Sequence, residues 1–344
     1  MTSADGATNR PSLRAGHDVL LLDLDGTVYQ GREVIPGARE ALEAGNERQL
    51  YVTNNASRSP AEVAEHLREL GFDAADDDVV TSSQSAARLL AEHLDTGSAV
   101  LVVGTEALCD EVEKVGLRAV RRFVDAPVAV VQGHSPATDW AILAEATLAI
   151  RAGALWIAAN VDSTLPTERG LVLGNGSMVA ALRTATGREP IVAGKPAAPL
   201  MHDALDRARA SRPLVVGDRL DTDIAGANAV DVESLLVLTG VSTTADLLRA
   251  DVEHRPTYVA ASLDALNRPA EESAVTAHPG WQANFEAGDV VVRSVDTGDG
   301  GAGHTTAGAF LTVLAAAWAH PEFVRIRAAD AEARAAVAAL LGGL

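Results

Sequence analysis

Short runs of apolar residues alternate with longer amphipathic stretches over most of the chain. Early examples are VLLL at 19–22, QLYVT at 49–53 and AVLVV at 99–103, and similar runs recur as VAVVQG, LWIAAN, IVAG, PLVVG and SLLVL. Unbroken apolar runs of this length are typical of strands that are buried on both faces of a parallel sheet. The pattern therefore predicts an α/β fold with a mainly parallel sheet.

The stretches between these runs carry helix signals. In SPAEVAEHLREL, Ser59 suits an N-cap, Pro60 suits the first helical position and Glu62 completes a capping box. Gly71 follows the last apolar position of that stretch and ends the predicted helix. Strand and helix signals thus alternate as they do in a sheet covered by helices.

The two ends of the chain depart from this alternation. Residues 1–16 contain no apolar core, which predicts a disordered polar tail and gives no indication of a signal peptide. From about residue 265, a linker-like segment and a flexible turn, GDGGAG, separate a few strand-like and helix-like pieces. We expect residues 265–344 to form a small C-terminal α+β extension.

Composition narrows the classes of partner. The formal net charge is −19, which argues against nucleic acid or an anionic membrane as the main partner. The single cysteine, Cys109, cannot form an internal disulfide and has the helical spacing of a small buried apolar residue. No apolar stretch has the length of a membrane span. These features predict a soluble cytoplasmic protein.

Polar residues that can carry chemistry stand directly after four of the predicted strands. Because ligands of open parallel sheets bind beyond the carboxyl ends of the strands, these positions are the first candidates for a site. They are Asp23 and Asp25 after VLLL, Thr53, Asn54 and Asn55 at the end of QLYVT, Lys195 after IVAG, and Asp218 with Asp223 after PLVVG.

The acidic residues among them raise a question of charge. Two carboxylates about 5 Å apart repel each other by ~3 kcal/mol at an effective dielectric constant of about 20. Either some are protonated or a hard cation holds them, and oxygen ligands favour Mg²⁺ over zinc. With the charge screened in this way, Asp23 could attack phosphorus. The alternative is that Asp-x-Asp-Gly is only a turn and Asp218 only a cap at the end of a strand.

Lys195 is difficult to explain as a surface residue. The chain contains 28 basic residues, and only Lys114 and Lys195 among them are lysines. Lys114 stands in a helix-like stretch among acidic residues and suits a solvated surface. Lys195 follows a strand and stands between Gly194 and Pro196, which indicates a site that needs a compact positive charge.

In order along the chain, DLDGTVY, VTNNASRS, GKP and GDRLDTDIAGA resemble the four motifs of the haloacid dehalogenase superfamily. The resemblance is strongest to its NagD-like phosphatases, and within them to the bacterial glycerol-3-phosphate phosphatases. It implies a Rossmann-like core formed by residues 17–84 and 188–262, and an inserted α/β cap domain formed by residues 85–187. It also implies Mg²⁺ as the cofactor.

The resemblance further implies a role for each motif residue. Asp23 would be the nucleophile that forms an aspartyl-phosphate, and Asp25 would be the general acid and base. The metal would be held by Asp23, Asp25 and Asp218, with Asp223 behind them as support. The phosphoryl group would be bound by Thr53, Asn54, Asn55 and Lys195.

The segment ANVDSTLPTERGLVLGNGSMVAAL matches the part of the cap that faces the site in this family. Gly174, Gly176 and Ser177 lead into a helix whose amides could face the substrate, or they form a plain turn before that helix. Relatives that act on pyridoxal phosphate carry a cap histidine where this chain has Leu165, which weakens that assignment. The polar candidates for contact with a small polyol are Asp162, Thr164, Glu168 and Arg169.

The sequence favours a Mg²⁺-dependent phosphomonoester hydrolase that converts glycerol 3-phosphate to glycerol and phosphate. Phosphoglycolate, pyridoxal phosphate or another small phosphoester are the alternative substrates. A non-catalytic phosphate-binding regulator is the alternative of another class, and it conflicts with the presence of every residue that the chemistry needs. For the C-terminal extension, a role in stability or in a dimer contact is favoured over an acyltransferase-like or ligand-binding module.

Overall fold

The computed structural model describes residues 10–167, 169–296 and 304–341. Within these ranges the strands are β1 (Val19–Leu22), β2 (Tyr29–Gln30), β3 (Glu33–Val34), β4 (Arg48–Thr53), β5 (Val79–Thr81), β6 (Ala99–Val103), β7 (Arg118–Val120), β8 (Ala129–Gln132), β9 (Leu155–Ala158), β10 (Thr164–Thr167), β11 (Gly170–Leu173), β12 (Ile191–Val192), β13 (Pro213–Gly217), β14 (Ser234–Val237), β15 (Tyr258–Ala260), β16 (Trp281–Glu286), β17 (Asp289–Ser294) and β18 (Arg325–Ala328). The α-helices in the same ranges are α1 (Ala38–Glu43), α2 (Pro60–Glu69), α3 (Ser82–His93), α4 (Glu106–Lys114), α5 (Trp140–Arg151), α6 (Asn175–Thr186), α7 (Ala198–Ala208), α8 (Ala225–Asn228), α9 (Thr244–Leu248), α10 (Thr306–Ala319) and α11 (Ala331–Leu341). None of the helices in this described part of the chain combines the length and the apolar character needed to cross a lipid bilayer.

Six parallel strands form the first sheet, in the order β15-β14-β13-β1-β4-β5. All four residues of β1 are buried, as the apolar run predicts. β1 pairs with β13 on one side and with β4 on the other, so that Leu22 lies opposite Val216 and Tyr51. The carboxyl ends of these three strands therefore meet at one edge of the sheet. The predicted α/β fold with a parallel sheet is confirmed, and so is the capping box of Ser59 at the start of α2.

Five further parallel strands form a second sheet, in the order β12-β9-β8-β6-β7. Four of them come from residues 85–187, the segment predicted as a cap. The fifth, β12, pairs with β9, with Ile191 opposite Ile157. This ladder makes β12, which lies beyond the predicted end of the cap at residue 187, part of the second sheet and not of the first. The predicted domain limits stay a prediction.

The C-terminal extension contains a three-stranded sheet in the order β16-β17-β18, and α10 and α11 pack on it. Phe310 of α10 and Val290 of β17 belong to the same apolar cluster as Ile224, Leu236 and Leu247, which lie in the first sheet or beside it. The hydrophobic core of the extension is thus continuous with that of the first sheet. The predicted turn GDGGAG lies outside the described residues.

The N-terminal segment differs from its prediction as a disordered tail. Residues 1–9 lie outside the described part of the chain, but Leu13–Gly16 form a 3₁₀-helix. Leu13 is 1% exposed, packs in the apolar cluster of the first sheet, and its N–H donates to the carbonyl oxygen of Arg268 over 2.7 Å. A loose tail that continues to residue 16 is therefore wrong, because burial of one leucine fixes this turn against the protein.

Cys109 packs as its helical spacing predicts. It is buried in α4, in an apolar cluster with Leu108 and Val131. Burial raises the pKa of its thiol to about 11, so the thiol stays protonated at neutral pH. Cys109 is thus a core residue without the properties of a nucleophile.

Candidate active site

A cavity of about 300 Å³ lies where the carboxyl edge of the first sheet meets the second sheet. Its volume suits a small ligand. Residues of the first sheet and its loops form one wall, and loops that follow β8 and β9 form the other. Six of the eight candidates at strand ends line it, namely Asp23, Asp25, Thr53, Asn54, Asn55 and Lys195.

The turn after β1 places the first two carboxylates. The N–H of Asp23 donates to the carbonyl oxygen of Val216 over 2.8 Å, which continues the ladder between β1 and β13. Gly26 then has a φ of +91°, and a Cβ atom at this position would lie 2.7 Å from Oδ2 of Asp218. Only glycine therefore lets the chain turn here while the two acidic loops approach each other.

Three carboxylates are close enough to share one cation. One oxygen from each of Asp23, Asp218 and Asp223 lies within 4.8 Å of the other two. Asp218 is fully buried, and its Oδ2 accepts a hydrogen bond from the N–H of Val241 over 2.6 Å. Within the described residues its Oδ1 has no partner. A buried carboxylate oxygen without a donor, next to two more carboxylates, fits a hard divalent cation such as Mg²⁺.

The electrostatics of this cluster disfavour three free charges. Burial, together with the charges of Asp23 and Asp223, raises the pKa of Asp218 to about 8. Burial and the charge of Asp23 raise the pKa of Asp223 to about 6, against the effect of Lys195. Burial also raises the pKa of Asp23, although the Lys195 ammonium opposes it. The site therefore favours whatever adds positive charge, a proton or a metal ion.

The ammonium of Lys195 is the positive charge that this chain places among the carboxylates. Its Nζ lies 2.6 Å from Oδ1 of Asp23 and 2.7 Å from Oδ1 of Asp223, and it donates to the carbonyl oxygen of Val52 over 2.9 Å. Burial alone would lower the pKa of Lys195, but the carboxylates of Asp223 and Asp23 outweigh it and raise that pKa. An ammonium reaches three acceptors around one atom, which a planar guanidinium cannot do here.

The loop after β13 folds Asp223 back onto Lys195. Residues Leu220–Ile224 form a π-helical turn, and such turns are frequent at functional sites. The N–H of Arg219 donates to Oδ2 of Asp223 over 3.1 Å, which leaves the other oxygen for the ammonium. A Cβ atom at Gly217 would lie 2.4 Å from the side chain of Asp223. Glycine at the end of β13 is therefore required for this close approach.

The loop after β4 presents its hydroxyl and amides to the same cavity. Oγ1 of Thr53 accepts a hydrogen bond from the N–H of Asn55 over 3.0 Å, and Oδ1 of Asn55 accepts from the N–H of Ser57 over 2.8 Å. Nδ2 of Asn54 donates to the carbonyl oxygen of Lys195 over 3.0 Å and to the carboxylate of Asp162 over 3.2 Å. The Asn54 side chain thus joins the two walls of the cavity.

Asp25 opens onto the cavity rather than into the protein. The surrounding walls reduce its solvation and raise the pKa of its carboxyl, and the charges of Arg58 and His66 oppose this shift. Arg58 lines the same cavity. A carboxyl with a raised pKa beside the reacting groups has the property that a general acid needs.

Several residues that join the two walls, or that hold the loop after β4 within the first sheet, were missed in the sequence. Nδ2 of Asn160 and Oγ of Ser82 each donate to the carbonyl oxygen of Asn54 over 2.6 Å. Oγ of Ser57 donates to the carbonyl oxygen of His134 over 2.9 Å. Asn160, His134 and Ser82 each follow a strand closely. Inspection of strand ends in the second sheet would have found the first two.

The segment between β9 and α6 differs in part from its prediction. The N–H of Gly176 donates to the carbonyl oxygen of Asp162 over 2.8 Å, and Oγ of Ser177 donates to that of Ser163 over 2.7 Å. A Cβ atom at Gly174 would lie 2.2 Å from the carbonyl oxygen of Asp162. These glycines therefore serve the close packing of two loops, and the Gly176 amide does not face the cavity.

Only some of the polar residues predicted in this segment to contact a substrate lie at the cavity. Asp162 and Thr164 line the cavity. Arg169 lies instead at a neighbouring groove with Thr167 and Arg58, and Glu168 lies outside the described residues. Burial raises the pKa of Asp162, while Arg219 and the hydrogen bond from Asn54 lower it.

Comparison with known proteins gives consistent matches. Residues 20–118 match the family described as haloacid dehalogenase-like hydrolase, and residues 192–266 match a HAD-hydrolase-like family. The D-glycerol 3-phosphate phosphatase of Mycobacterium tuberculosis is 55% identical over 333 residues, which cover 95% of this chain and 94% of that protein. The crystal structure of a glycerol phosphate phosphatase from the same organism in complex with magnesium matches with a TM-score of 0.92 and 54% identity, and covers 96% of this chain and 99% of that one. An acid sugar phosphatase of Staphylococcus saprophyticus is 36% identical over 258 residues, or 73% of this chain and 97% of that protein.

Proposed function

The chain belongs to the haloacid dehalogenase-like hydrolases, and on that premise we propose that it is a Mg²⁺-dependent phosphatase that hydrolyses glycerol 3-phosphate to glycerol and phosphate. The observation that carries this proposal is the buried group of Asp23, Lys195, Asp218 and Asp223 at the edge of the cavity. The mycobacterial D-glycerol 3-phosphate phosphatase, which matches along almost its whole length, supports the choice of substrate.

The metal would be held by the carboxylates of Asp23 and Asp218 and by the backbone carbonyl of Asp25. The partnerless Oδ1 of Asp218 and the purely oxygen donor set support this assignment. When bound, Mg²⁺ would screen the negative charge of the phosphate and stabilise the charge that develops during transfer. Asp223 would support the site through its ion pair with Lys195.

In the first step, an oxygen of Asp23 attacks phosphorus and the bond from phosphorus to the alkoxide oxygen breaks. The Lys195 ammonium at 2.6 Å favours the ionised form of Asp23 against the effect of burial. Asp25 gives its proton to the departing alkoxide, and its raised pKa favours the protonated form that this step requires. The products of the step are free glycerol and an aspartyl-phosphate on Asp23.

In the second step, water attacks phosphorus of the aspartyl-phosphate and restores the carboxylate of Asp23. Asp25, now ionised, takes a proton from that water. The hydroxyl of Thr53, the backbone N–H of Asn54 and the side-chain amide of Asn55 would hold the phosphoryl oxygens. The Asn54 side chain has its Nδ2 committed to Lys195 and Asp162, so we assign it to positioning of the loop.

We also propose a cytoplasmic enzyme whose partner is the small phosphoester itself. The net charge of −19 supports the absence of nucleic acid and anionic membranes among its partners. A homodimer stays a prediction, and the mass of the intact protein in solution would test it.

The proposal is tested by phosphate release from a panel of small phosphoesters with and without Mg²⁺. The panel contains both enantiomers of glycerol 3-phosphate, phosphoglycolate, pyridoxal phosphate and a nucleotide monophosphate. We expect Mg²⁺-dependent release that is fastest on one enantiomer of glycerol 3-phosphate. A different best substrate would keep the phosphatase and replace the substrate. No release from any compound would favour a phosphate-binding regulator.

A further inference from the structure

The wall that the second sheet contributes to the cavity carries little charge. Among the described residues, its members that come from positions 85–187 are His134, Pro136, Asn160, Asp162, Thr164, Leu165, Gly174 and Asn175. No lysine or arginine is among them, and Asp162 is the one acidic side chain. The loop between β9 and β10 therefore brings a single carboxylate to this wall of the cavity, where it faces Asn54 of the first sheet.

Asp162 is held in place but has acceptor capacity to spare. Nδ2 of Asn54 lies 3.2 Å from its Oδ1 and 3.3 Å from its Oδ2, and Oδ1 of Asn160 accepts from its backbone N–H over 3.2 Å. A carboxylate can accept about four hydrogen bonds. Within the described residues one side-chain amide is its hydrogen-bond donor. The remaining acceptor positions are available to a ligand in the cavity.

Of the two arginines that line the cavity, Arg219 is held in an ion pair. Nε and Nη2 of Arg219 lie 3.0 Å and 2.7 Å from the two oxygens of Asp221, which is a bidentate pair. Arg58 also lines the cavity, and its charge acts on Asp25. The pair with Asp221 therefore makes Arg219 a poor receiver of a carboxylate on the leaving group.

We propose that Asp162 selects the substrate by accepting a hydrogen bond from a hydroxyl of the leaving alcohol, and that it disfavours phosphoesters whose alcohol carries a carboxylate. The inference rests on the proposed phosphatase function and deepens it. It assigns the substrates to the phosphates of small, uncharged, hydroxylated alcohols. It also gives a physical reason for the choice of glycerol 3-phosphate over phosphoglycolate, because two anionic groups would otherwise meet in a cavity with little solvent.

The test compares three substrates in kcat/KM with Mg²⁺ present. Glycerol 3-phosphate has the hydroxyls, n-propyl phosphate has the same carbon chain without them, and phosphoglycolate has a carboxylate. The variant Asp162→Asn keeps the size of the side chain and an acceptor for Asn54, but it removes the charge. Asp139→Asn is the matched control, since Asp139 caps α5 through the N–H of Ile142 and asparagine serves equally well there.

For the wild type we expect a preference for glycerol 3-phosphate over propyl phosphate of about 10- to 100-fold, the range of a hydrogen bond to a charged group. Asp162→Asn should reduce this ratio about tenfold and raise phosphoglycolate relative to glycerol 3-phosphate. Asp139→Asn should leave both ratios unchanged. Asp162→Ser provides a second neutral variant, and thermal unfolding of each variant shows that it is folded.

Equal losses on all three substrates in the folded Asp162 variants would overturn the inference, because Asp162 would then act only by holding Asn54. The proposed phosphatase function would survive that result. Unchanged ratios would overturn it as well. A wild-type protein that hydrolyses none of the three compounds would remove the proposed function and the inference together, which is a distinct outcome.

Discussion

Two regions that adjoin the first sheet, its carboxyl edge and the C-terminal extension, differ in the kind of side chains that they bury. At the edge, Asp218, Asp223 and Lys195 are almost completely buried and charged groups contact one another. In the extension, Phe310 and Val290 pack against apolar residues of the first sheet. Burial of crowded carboxylates costs free energy, whereas burial of apolar surface stabilises by ~25 cal/mol per Å². The first region therefore contributes chemistry and the second contributes stability.

The comparisons with relatives fit this division. The two family matches cover residues 20–118 and 192–266, and the second ends before β16 begins. The staphylococcal acid sugar phosphatase is matched almost in full by 73% of this chain. The extension covers apolar surface of the first sheet, because Phe310 and Val290 share an apolar cluster with Leu236. Substitutions in the two regions should accordingly separate activity from stability.

Asp23→Asn should give the largest effect, a loss of kcat by at least roughly 10³-fold, because the proposed nucleophile is removed. Its free energy of unfolding without Mg²⁺ should be unchanged or higher, since one of three crowded carboxylates is neutralised. Phosphate release and urea unfolding measure the two quantities. Asp18→Asn is a control that should keep kcat. Asp18 stands before β1, and its side chain accepts hydrogen bonds from the N–H groups of Ser211 and Arg212, in the loop before β13.

Lys195→Met should lower both kcat and the free energy of unfolding. Loss of the ammonium should lower kcat by roughly 10²- to 10³-fold, since the charge on the transferring group is no longer balanced. It should also lower the free energy of unfolding by ~3–5 kcal/mol, because Asp23 and Asp223 lose their buried partner. Lys195→Arg should not restore activity. A normal kcat in either variant would contradict the role assigned to this ammonium.

Phe310→Ala should lower stability and keep kcat, whereas Asp23→Asn should lower kcat without lowering stability. A cavity in the apolar cluster of the extension should lower the free energy of unfolding by ~3–5 kcal/mol. The kcat of the folded protein should stay within about twofold, because the cavity of the active site is not touched. Val324→Ala, at a side chain that is 72% exposed, is the control and should change neither quantity. A large loss of kcat in folded Phe310→Ala would show that the regions are coupled.

Asp218→Asn should change the free energy of unfolding less than Lys195→Met and Phe310→Ala do, but its effect should depend on pH. The pKa of Asp218 is raised from 3.8 to about 8, so the metal-free folded protein holds a proton that the unfolded chain releases. Its stability should therefore fall as the pH rises from near 3.8 to about 8. In the variant this slope should decrease, and at pH 8 without metal the free energy of unfolding should rise by ~1–2 kcal/mol. Activation by Mg²⁺ should be lost.

Denaturation at several pH values, with a chelator and with Mg²⁺, measures both effects of Asp218→Asn. Added Mg²⁺ should stabilise the wild type by an amount that grows with the logarithm of its concentration, and it should not stabilise the variant. If Mg²⁺ stabilises both proteins equally, the metal is bound elsewhere.

The sequence was sufficient for the parts of the site that depend on strand ends. Asp23, Thr53 and Asp218 follow apolar runs that pair side by side in the first sheet, so the chain order of the motifs became a spatial cluster. It was not sufficient for β12, because a two-residue apolar strand reads the same whichever sheet it joins. Leu13 was missed for a similar reason, since a single leucine in a polar segment gives no periodicity.

The residues of the second wall were harder to predict for a physical reason. Nδ2 of Asn160 donates to a backbone carbonyl of the loop after β4, and the carbonyl oxygen of His134 accepts from Ser57 of that loop, so these contacts depend on how two sheets meet. Asparagine and serine after a strand are also common in ordinary turns. The chemistry of the site is therefore readable from local motifs, whereas its selectivity depends on tertiary packing.

The most direct test of the account is a rapid-quench experiment with radiolabelled glycerol 3-phosphate and Mg²⁺, followed by peptide mapping. We predict a transient label on the tryptic peptide that spans residues 15–32, at Asp23, with the sensitivity to hydroxylamine that is typical of an acyl phosphate. The label should be absent in Asp23→Asn. Full turnover without a covalent label, or a label on another residue, would contradict the assignment of Asp23 as the nucleophile.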